Sequence, residues 1–478
     1  MKANSTVTLL RFDWLQLKRS HAFWQLTALL LVISGYAAFY GRTEVEQQQQ
    51  KIDLLKHDID SSMRVVSLEL QKRDTTAAWH YDDFLFSLHA NRPDGTAALA
   101  FGQRDLHKFA VSITTGTYFY NKYATGYENK TLSGEIANPQ KQLAGHLDTS
   151  FVLVFLLPLY FILISYNLLS SEKEGGTLLL LAGQAVSIPG FMLTKLALRW
   201  LIGAVLGTLI ILAAATITQA AFDYRLFCMV LATWLYVGCW AGITAVVTAF
   251  HRSSGFNALS LVSAWLLFCL AIPATLTALL NVVYPVDAKA QLTAAVQKAN
   301  ARVFATPKPL LASTFYQQYP LYNNIPRDTF PNGWYNPRWV RAMHLLLDKE
   351  VKPYDARYHA QLAQRIRSTD GLDYCSPAVL AQSIFNRTAA SDMQQMLAYD
   401  TATYHHFALW RDYLDEKIFL HQNTLTKKEF ERLPQYHFTP VIDYTQINRR
   451  LVALGLVTLS LFASSYGMMK RPLFRKMI

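Results

Sequence analysis

The sequence predicts a polytopic α-helical membrane protein: six transmembrane helices, both termini cytoplasmic, and two mainly α-helical extracytoplasmic regions. Three observations carry this. Of the 478 residues 52% are hydrophobic and only 16% charged, where a soluble protein carries about a quarter charged. The apolar residues are gathered into six long blocks. The excess of basic over acidic residues sits mainly on the short segments that alternate with long ones.

A helix crosses the hydrocarbon layer with about 20 apolar residues. The six segments that qualify are Ala22 to Tyr40, Phe151 to Leu169, Trp200 to Thr218, Leu226 to Phe250, Ala258 to Val283 and Leu451 to Met469. The first is longer than the core of a secretory signal, about 7–15 residues, so it is expected to stay as an anchor. Thr177 to Leu193 is also apolar. It follows Glu172, Lys173 and Glu174 and is broken by Gly183, Gln184, Ser187 and Pro189, so it reads as an interfacial elbow.

The chain then divides into a cytoplasmic N-terminus with the first span (1–40), a first extracytoplasmic region (41–150), a core of four spans (151–283), a second region (284–449), and the sixth span with a basic tail (450–478). The elbow occupies 170–196. The cytoplasmic pieces hold Lys2, Arg11, Lys18, Arg19, Lys173, Lys195, Arg199, Arg252, Lys470, Arg471, Arg475 and Lys476 against only Asp13, Glu172 and Glu174. Lys and Arg on short cytoplasmic segments orient membrane helices, and long external domains are largely exempt. A seventh span at the elbow would put the basic tail on the outer face. Most of the formal +12 is therefore located where it meets anionic lipid, and the nearly neutral external regions give no electrostatic case for nucleic acid.

In the first external region Val45, Ile52, Leu55, Ile59, Met63, Val66 and Leu70 follow helical spacing, so the first span is expected to continue as a helix out of the membrane. The rest, with a turn at Arg92-Pro93-Asp94-Gly95, reads as loop-rich. In the second region Pro307 to Trp339 reads as irregular, and Tyr358 to Phe385 and Asp392 to Phe430 read as helices. Cys375 is the only cysteine outside the spans, and Cys228, Cys239 and Cys269 lie within them as small apolar residues. No metal site is expected: His405-His406 are adjacent, and neighbours on a helix point in different directions. No metalloprotease, nucleophile-elbow or phosphate-loop motif occurs, so no catalytic residue is assigned and the chain is not expected to hydrolyse ATP alone.

The most informative stretch runs Asn138-Pro139, then Gly145-His146-Leu147-Asp148, the second span with Pro158-Leu159, and Glu172-Lys173-Glu174-Gly175-Gly176-Thr177-Leu178 with Leu181, Val186, Ser187 and Lys195. Physically it is a span meeting an acidic-basic-acidic turn, two glycines that permit a sharp change of direction, and an amphipathic return. Such an elbow is either a plain connection between spans or a handle for a soluble partner. The pattern resembles the cytoplasmic loop of ABC-2-type transporter permeases. With Ser376-Pro377-Ala378 and Arg411-Asp412-Tyr413, it is similar in style to the gliding-motility permeases of Bacteroidota. Ala182-Gly183 departs from the pattern.

The resemblance implies a permease subunit of the bacterial inner membrane. Its elbow (Glu172, Lys173, Glu174, Gly175, Gly176, Thr177, Leu178, Leu181) would dock on a separate cytoplasmic ABC ATPase. That partner would bind the ATP and Mg, and this chain no cofactor. A second permease chain, as homo- or heterodimer, is implied too, with an unknown substrate. A periplasmic or outer-membrane partner is a further expectation. The Gly203-xxx-Gly207 and Gly238-xxx-Gly242 pairs allow close helix–helix approach, within the chain or between chains. Pro158 and Pro273 are expected to kink their spans. No Asp, Glu, Lys, Arg or His sits mid-span, unlike ion-coupled carriers. Two other readings remain open: a mechanotransmission complex that moves no cargo, and a membrane-anchored extracytoplasmic receptor.

Overall fold

A computed structural model describes residues 3–73, 75–77, 85–102, 104, 108–113, 131–133, 147–177, 188–285, 287–324, 337–420 and 424–469. Outside the described residues lie 138–146, Leu178, Leu181 and the rest of 178–187, and the basic tail. Among the described residues the protein is mostly helical, and six helices there are long and apolar enough to cross a membrane. These are α2 (His21–Arg73), α3 (Thr149–Glu174), α4 (Ile188–Thr218), α5 (Tyr224–Thr248), α6 (Ser254–Val283) and α13 (Tyr444–Met469). Five of the six expected spans fall within them, and the fourth, Leu226 to Phe250, overruns the end of α5 by two residues. A further helix, α1 (Ala3–Arg19), precedes them; sequence reasoning did not separate it from the N-terminal basic segment.

Helix α2 runs unbroken for 53 residues, about 80 Å at the helical rise. Beyond its apolar part it buries Val45, Ile52, Leu55, Ile59, Val66 and Leu70, at the spacing of three and four that keeps one stripe facing inward. Helix α4 also differs from expectation at its start. Residues 188–199, of which 188–196 were assigned to the elbow, are continuous with the third span. Their two cations are buried in ion pairs, which removes the reason to end a helix there.

The bundle is organised around α5, whose Cys228, Ala232, Tyr236, Cys239, Trp240 and Ala241 are all buried. The four glycines make its close contacts. A Cβ on Gly203 would stand 3.1 Å from Val237 Cγ1, and one on Gly207 2.5 Å from Thr233 Cγ2, so this pair seats α4 on α5. A Cβ on Gly238 would stand 3.0 Å from Thr458 Cγ2 and one on Gly242 2.7 Å from Leu461 Cβ, which seats α5 on α13. Both small-residue pairs therefore serve packing within the chain.

Pro158 and Pro273 do perturb their spans, in a specific way. Each follows a π-helical stretch, Val152–Leu156 in α3 and Leu266–Ala271 in α6. A proline has no N–H to offer the preceding turn, and side chains take its place. Tyr236 Oη donates to the Val154 carbonyl at 2.8 Å and Trp265 Nε1 to the Phe155 carbonyl at 3.0 Å. Ser376 Oγ donates to the Phe268 carbonyl at 2.7 Å.

Ser376 belongs to the second inter-span region, which is more helical than expected. It comprises α7 (Ala288–Ala305), α8 (Lys308–Gln318), a 3-10 turn Pro320–Asn324, α9 (Pro337–Leu372), α10 (Pro377–Thr388), α11 (Met393–Leu420) and α12 (Lys427–Glu431). The irregular reading of Pro307 to Trp339 is corrected over 308–324 and at 337–339, where α9 begins, while 325–336 lie outside the described residues. There Pro309 opens α8, a position where its missing N–H costs nothing, and Tyr319 and Tyr322 stack on the buried Phe315. The helix expected over Tyr358 to Phe385 is two helices, parted where Ser376 caps α10 and Pro377 begins it. The one expected over Asp392 to Phe430 ends at Leu420, before Thr424–Thr426 forms a strand and Thr426 with Glu429 makes a capping box for α12.

Helix α10 docks into the end of the bundle: Ala378, Leu380, Ala381, Ile384 and Phe385 share one apolar core with α3, α4, α5, α6 and α13. The first inter-span region adds short strands that were read as loop. β2 (Ser87–Ala90), β3 (Lys108–Ile113) and β4 (Thr131–Ser133) form an antiparallel sheet in that order. β1 (Thr75–Ala77) pairs with β5 (Thr424–Thr426) of the second region. A second tie joins the two regions: His89 Nε2 of β2 lies 2.6 Å from His406 Nδ1 of α11, both rings buried.

Two outcomes follow from this packing. Gly207→Ala and Gly242→Ala should each lower the melting temperature of the purified protein, at a cost of about 1–3 kcal/mol for overpacking. Gly35→Ala, with nothing within 4 Å of its Cβ, should not. Burial pushes His406 below the ordinary 6.5 and His89 well below it. Folded values below unfolded ones mean that the pair's stabilisation is present above pH 6.5 and is lost as pH falls through the lowered values. Thermal melts between pH 7.5 and pH 5 should therefore show a steeper loss in the wild type than in His89→Phe.

Candidate coupling site

The elbow turn sits where three spans meet, and its charged residues are already committed to them. Glu172, at the end of α3, turns inward. Its carboxylate accepts from Lys195 Nζ of α4 at 2.8 Å and from the Thr177 hydroxyl. Lys195 also lies 4.0 Å from Asp13 Oδ1 of α1, which accepts from Arg199 Nη2 at 3.3 Å. Asp13, Lys195 and Arg199 are all buried. Two carboxylates thus meet two cations among α1, α3 and α4, and the cluster is formally neutral. Burying such charges singly would cost several kcal/mol, so the arrangement holds only as a unit.

The next two residues tie the turn to the loop before α6 and to the start of α6. Lys173 Nζ donates to the His251 carbonyl at 2.8 Å. Glu174 accepts from the Ser254 amide at 2.7 Å and from its hydroxyl at 2.9 Å. The Ser254 hydroxyl reaches Ser170 Oγ at 2.8 Å. A carboxylate at the first amides of a helix satisfies donors that have no partner within the helix and favourably meets its dipole. These contacts hold Glu174's own proton affinity down, the amide bond contributing most.

What remains outward is short. Lys173, Glu174, Gly175, Gly176 and Thr177 are exposed, and Gly176 takes a φ of +73°, a conformation that glycine adopts without strain. The structure therefore splits the eight elbow residues. Glu172 is a half-buried brace, Lys173 reaches the loop before α6 and Glu174 the first residue of α6, Gly175 to Thr177 form the exposed knuckle, and Leu178 and Leu181 lie outside the described residues. Sequence reasoning missed Asp13, Arg199 and Ser254 as members. The signal available was that Asp13 is the only acid in the N-terminal cytoplasmic segment, among four cations.

A second charged cluster stands at the opposite end of the bundle. Arg450, near the start of α13, is fully buried, and its guanidinium reaches Asp373 at 3.0 Å and Asp370 at 3.2 Å. Arg387 of α10 pairs with the same Asp370 and lies 3.7 Å from Asp392. Burial raises the Asp373 and Asp392 carboxyls, and Arg450 and Arg387 work against that rise. This cluster fastens the second inter-span region to the sixth span as the first fastens α1 to the third. His405 is exposed and His406 buried; among the described residues no three side chains are grouped to hold a metal.

Six apolar helices, buried charges kept to their ends, and glycine-mediated close packing define the class: a polytopic helical membrane protein. A family described as a domain of unknown function, DUF3526, matches residues 289–439, just under a third of the 478-residue chain. The match covers the second inter-span region from α7 to the loop before α13. No curated protein matches the chain.

Asp13→Ala should leave Arg199 buried without its carboxylate and cost about 3 kcal/mol. A lower melting temperature and faster tryptic cleavage at Lys18 and Arg19, as α1 detaches, are the expected readouts.

Proposed function

We propose that the chain is the membrane-spanning permease subunit of an ABC-2-type transporter. On this reading it lies in a bacterial inner membrane with both termini cytoplasmic, and couples ATP hydrolysis by a separate cytoplasmic ATPase to movement of a substrate. The observation that carries the proposal is the wiring of the elbow. One exposed knuckle, Gly175 to Thr177, is joined through Glu172 to α4, and by way of Lys195 to α1, and through Lys173 and Glu174 to the loop before α6 and to its first residue. A partner pressing on that knuckle would displace three spans together. A plain connection between two spans needs no bond to a third.

The location of the buried charges supports the same reading. Asp13, Lys195, Arg199 and Arg450 are paired, Lys195 and Arg199 just ahead of the third apolar block and Arg450 just ahead of the sixth, and no Asp, Glu, Lys, Arg or His stands mid-span to serve an ion-coupled cycle. Energy then has to enter from outside the chain, and the knuckle is the exposed point wired to the spans. In the complex, ATP and Mg would belong to the ATPase.

A second reading within the same class has its own support. Helix α10 is keyed into the spans and locked by Arg450, so motion at the elbow end would reach the inter-span regions through rigid contacts even if no cargo crossed. Transport and mechanotransmission share the elbow and differ in whether a path opens.

A photocrosslinking residue placed at Thr177 should capture a soluble ATP-binding subunit co-expressed from the same genome. Glu174→Lys, which breaks the cap on α6, should uncouple ATP hydrolysis from function while the protein remains in the membrane. Lack of any crosslink, together with unchanged ATPase stimulation in the variant, would overturn the proposal.

A further inference from the structure

A cleft of about 940 Å³ opens between α9 and α11, closed on one side by the loop at residues 435–437. Its size is within the range of about 300–1,000 Å³ typical of small-molecule sites, and too small to seat a folded domain. Its wall is apolar, formed by Ile366, Leu397, Ala398, Ala402 and Leu409. Its polar side chains are one permanent cation, Arg367, with His405, His406, His437, Thr401, the Tyr436 hydroxyl and two glutamines. Among the described residues no Asp or Glu lines it.

The nearest acids on the same helices are spoken for. Asp370 is held by Arg387, Arg450 and Gln394, and Asp400 lies beside His359. Arg367 is exposed and makes no ion pair or hydrogen bond among the described residues. A free guanidinium therefore stands at the edge of an apolar trough, a geometry that pairs with a carboxylate or phosphate oxygen.

Position adds to the argument. Gln394, in the cleft wall, donates to Asp370 at 2.7 Å, and Asp370 reaches the buried Arg450 at the head of α13. The cleft wall is thus two contacts from the first apolar residues of the sixth span, Leu451 onward.

We infer that this cleft binds a single-chain amphiphile with one anionic head, the chain along the Ile366, Leu397 and Leu409 wall and the head on Arg367. The site is independent of the ATPase partner: it would serve a transporter, a mechanotransmitter or a receptor alike.

The test uses the full-length protein in nanodiscs with a diazirine-bearing laurate as probe, and peptide mapping after irradiation. Label is expected on α9, α11 or residues 435–437, competed by excess laurate and not by dodecanol. Lauryl phosphate should compete as well as laurate if the charge alone is read, and poorly if the site is selective for a carboxylate. Arg367→Ala should cut labelling about tenfold. Ala398→Trp, an exposed position on the wall, should abolish it, and both variants should melt like the wild type. Label confined to the spans, competition by dodecanol equal to that by laurate, or labelling unchanged in Arg367→Ala would each overturn the inference.

Discussion

An apolar interior offers no partner to a carbonyl that has lost its amide, and the architecture depends on how this chain answers that constraint. Prolines in the second and fifth spans each free backbone oxygens at a π-helical turn. The donors that replace the missing amides come from elsewhere: Tyr236 of the fourth span, Trp265 of the fifth, and Ser376 at the cap of α10. Each such bond ties two elements that are distant in sequence. The Ser376 bond does most, because it brings the second inter-span region onto the spans and sets α10 where its apolar face completes the core.

Charge follows the same logic at the two ends of the bundle. Asp13, Glu172, Lys195 and Arg199 neutralise one another where α1, α3 and α4 meet, and Arg450 with Asp370, Asp373 and Arg387 does so at the other end. Breaking either set exposes an uncompensated charge to a low-dielectric surrounding, so each behaves as a rigid joint. Between them lie helices seated at glycine contacts. A bundle with stiff joints at both ends and close-packed helices between them is suited to passing displacement along its length. On the proposed reading, this property gives the elbow wiring its functional sense.

The local patterns that could be read without a structure share a cause: they are written in neighbouring residues. Six runs of apolar residues, the stripe from Val45 to Leu70 and the small-residue pairs are all periodicities of one helix, and each appears where its period places it. The strands β2 to β4 escaped notice because three to six residues carry too little alternation to stand out. The break at Ser376-Pro377 lay inside an otherwise helical pattern, and the N-terminal helix had no apolar run to announce it. The elbow was visible as a motif, but the inward turn of Glu172 was not, since its partners Lys195 and Thr177 lie on both sides of a stretch with no periodicity of its own.

By itself, then, the sequence determined that this protein is helical, that six of its helices are apolar enough to span a membrane, and that an acidic-basic-acidic turn follows the second. Hydropathy, helical period and glycine are local properties, and a chain cannot hide them. Only the tertiary structure decided that both glycine pairs are spent within the chain, that α10 belongs to the core, that Asp13 closes the elbow cluster, and that Arg367 faces an apolar cleft. Each of those joins residues tens to hundreds of positions apart, and such pairings are set by which buried polar group finds which partner when the helices pack.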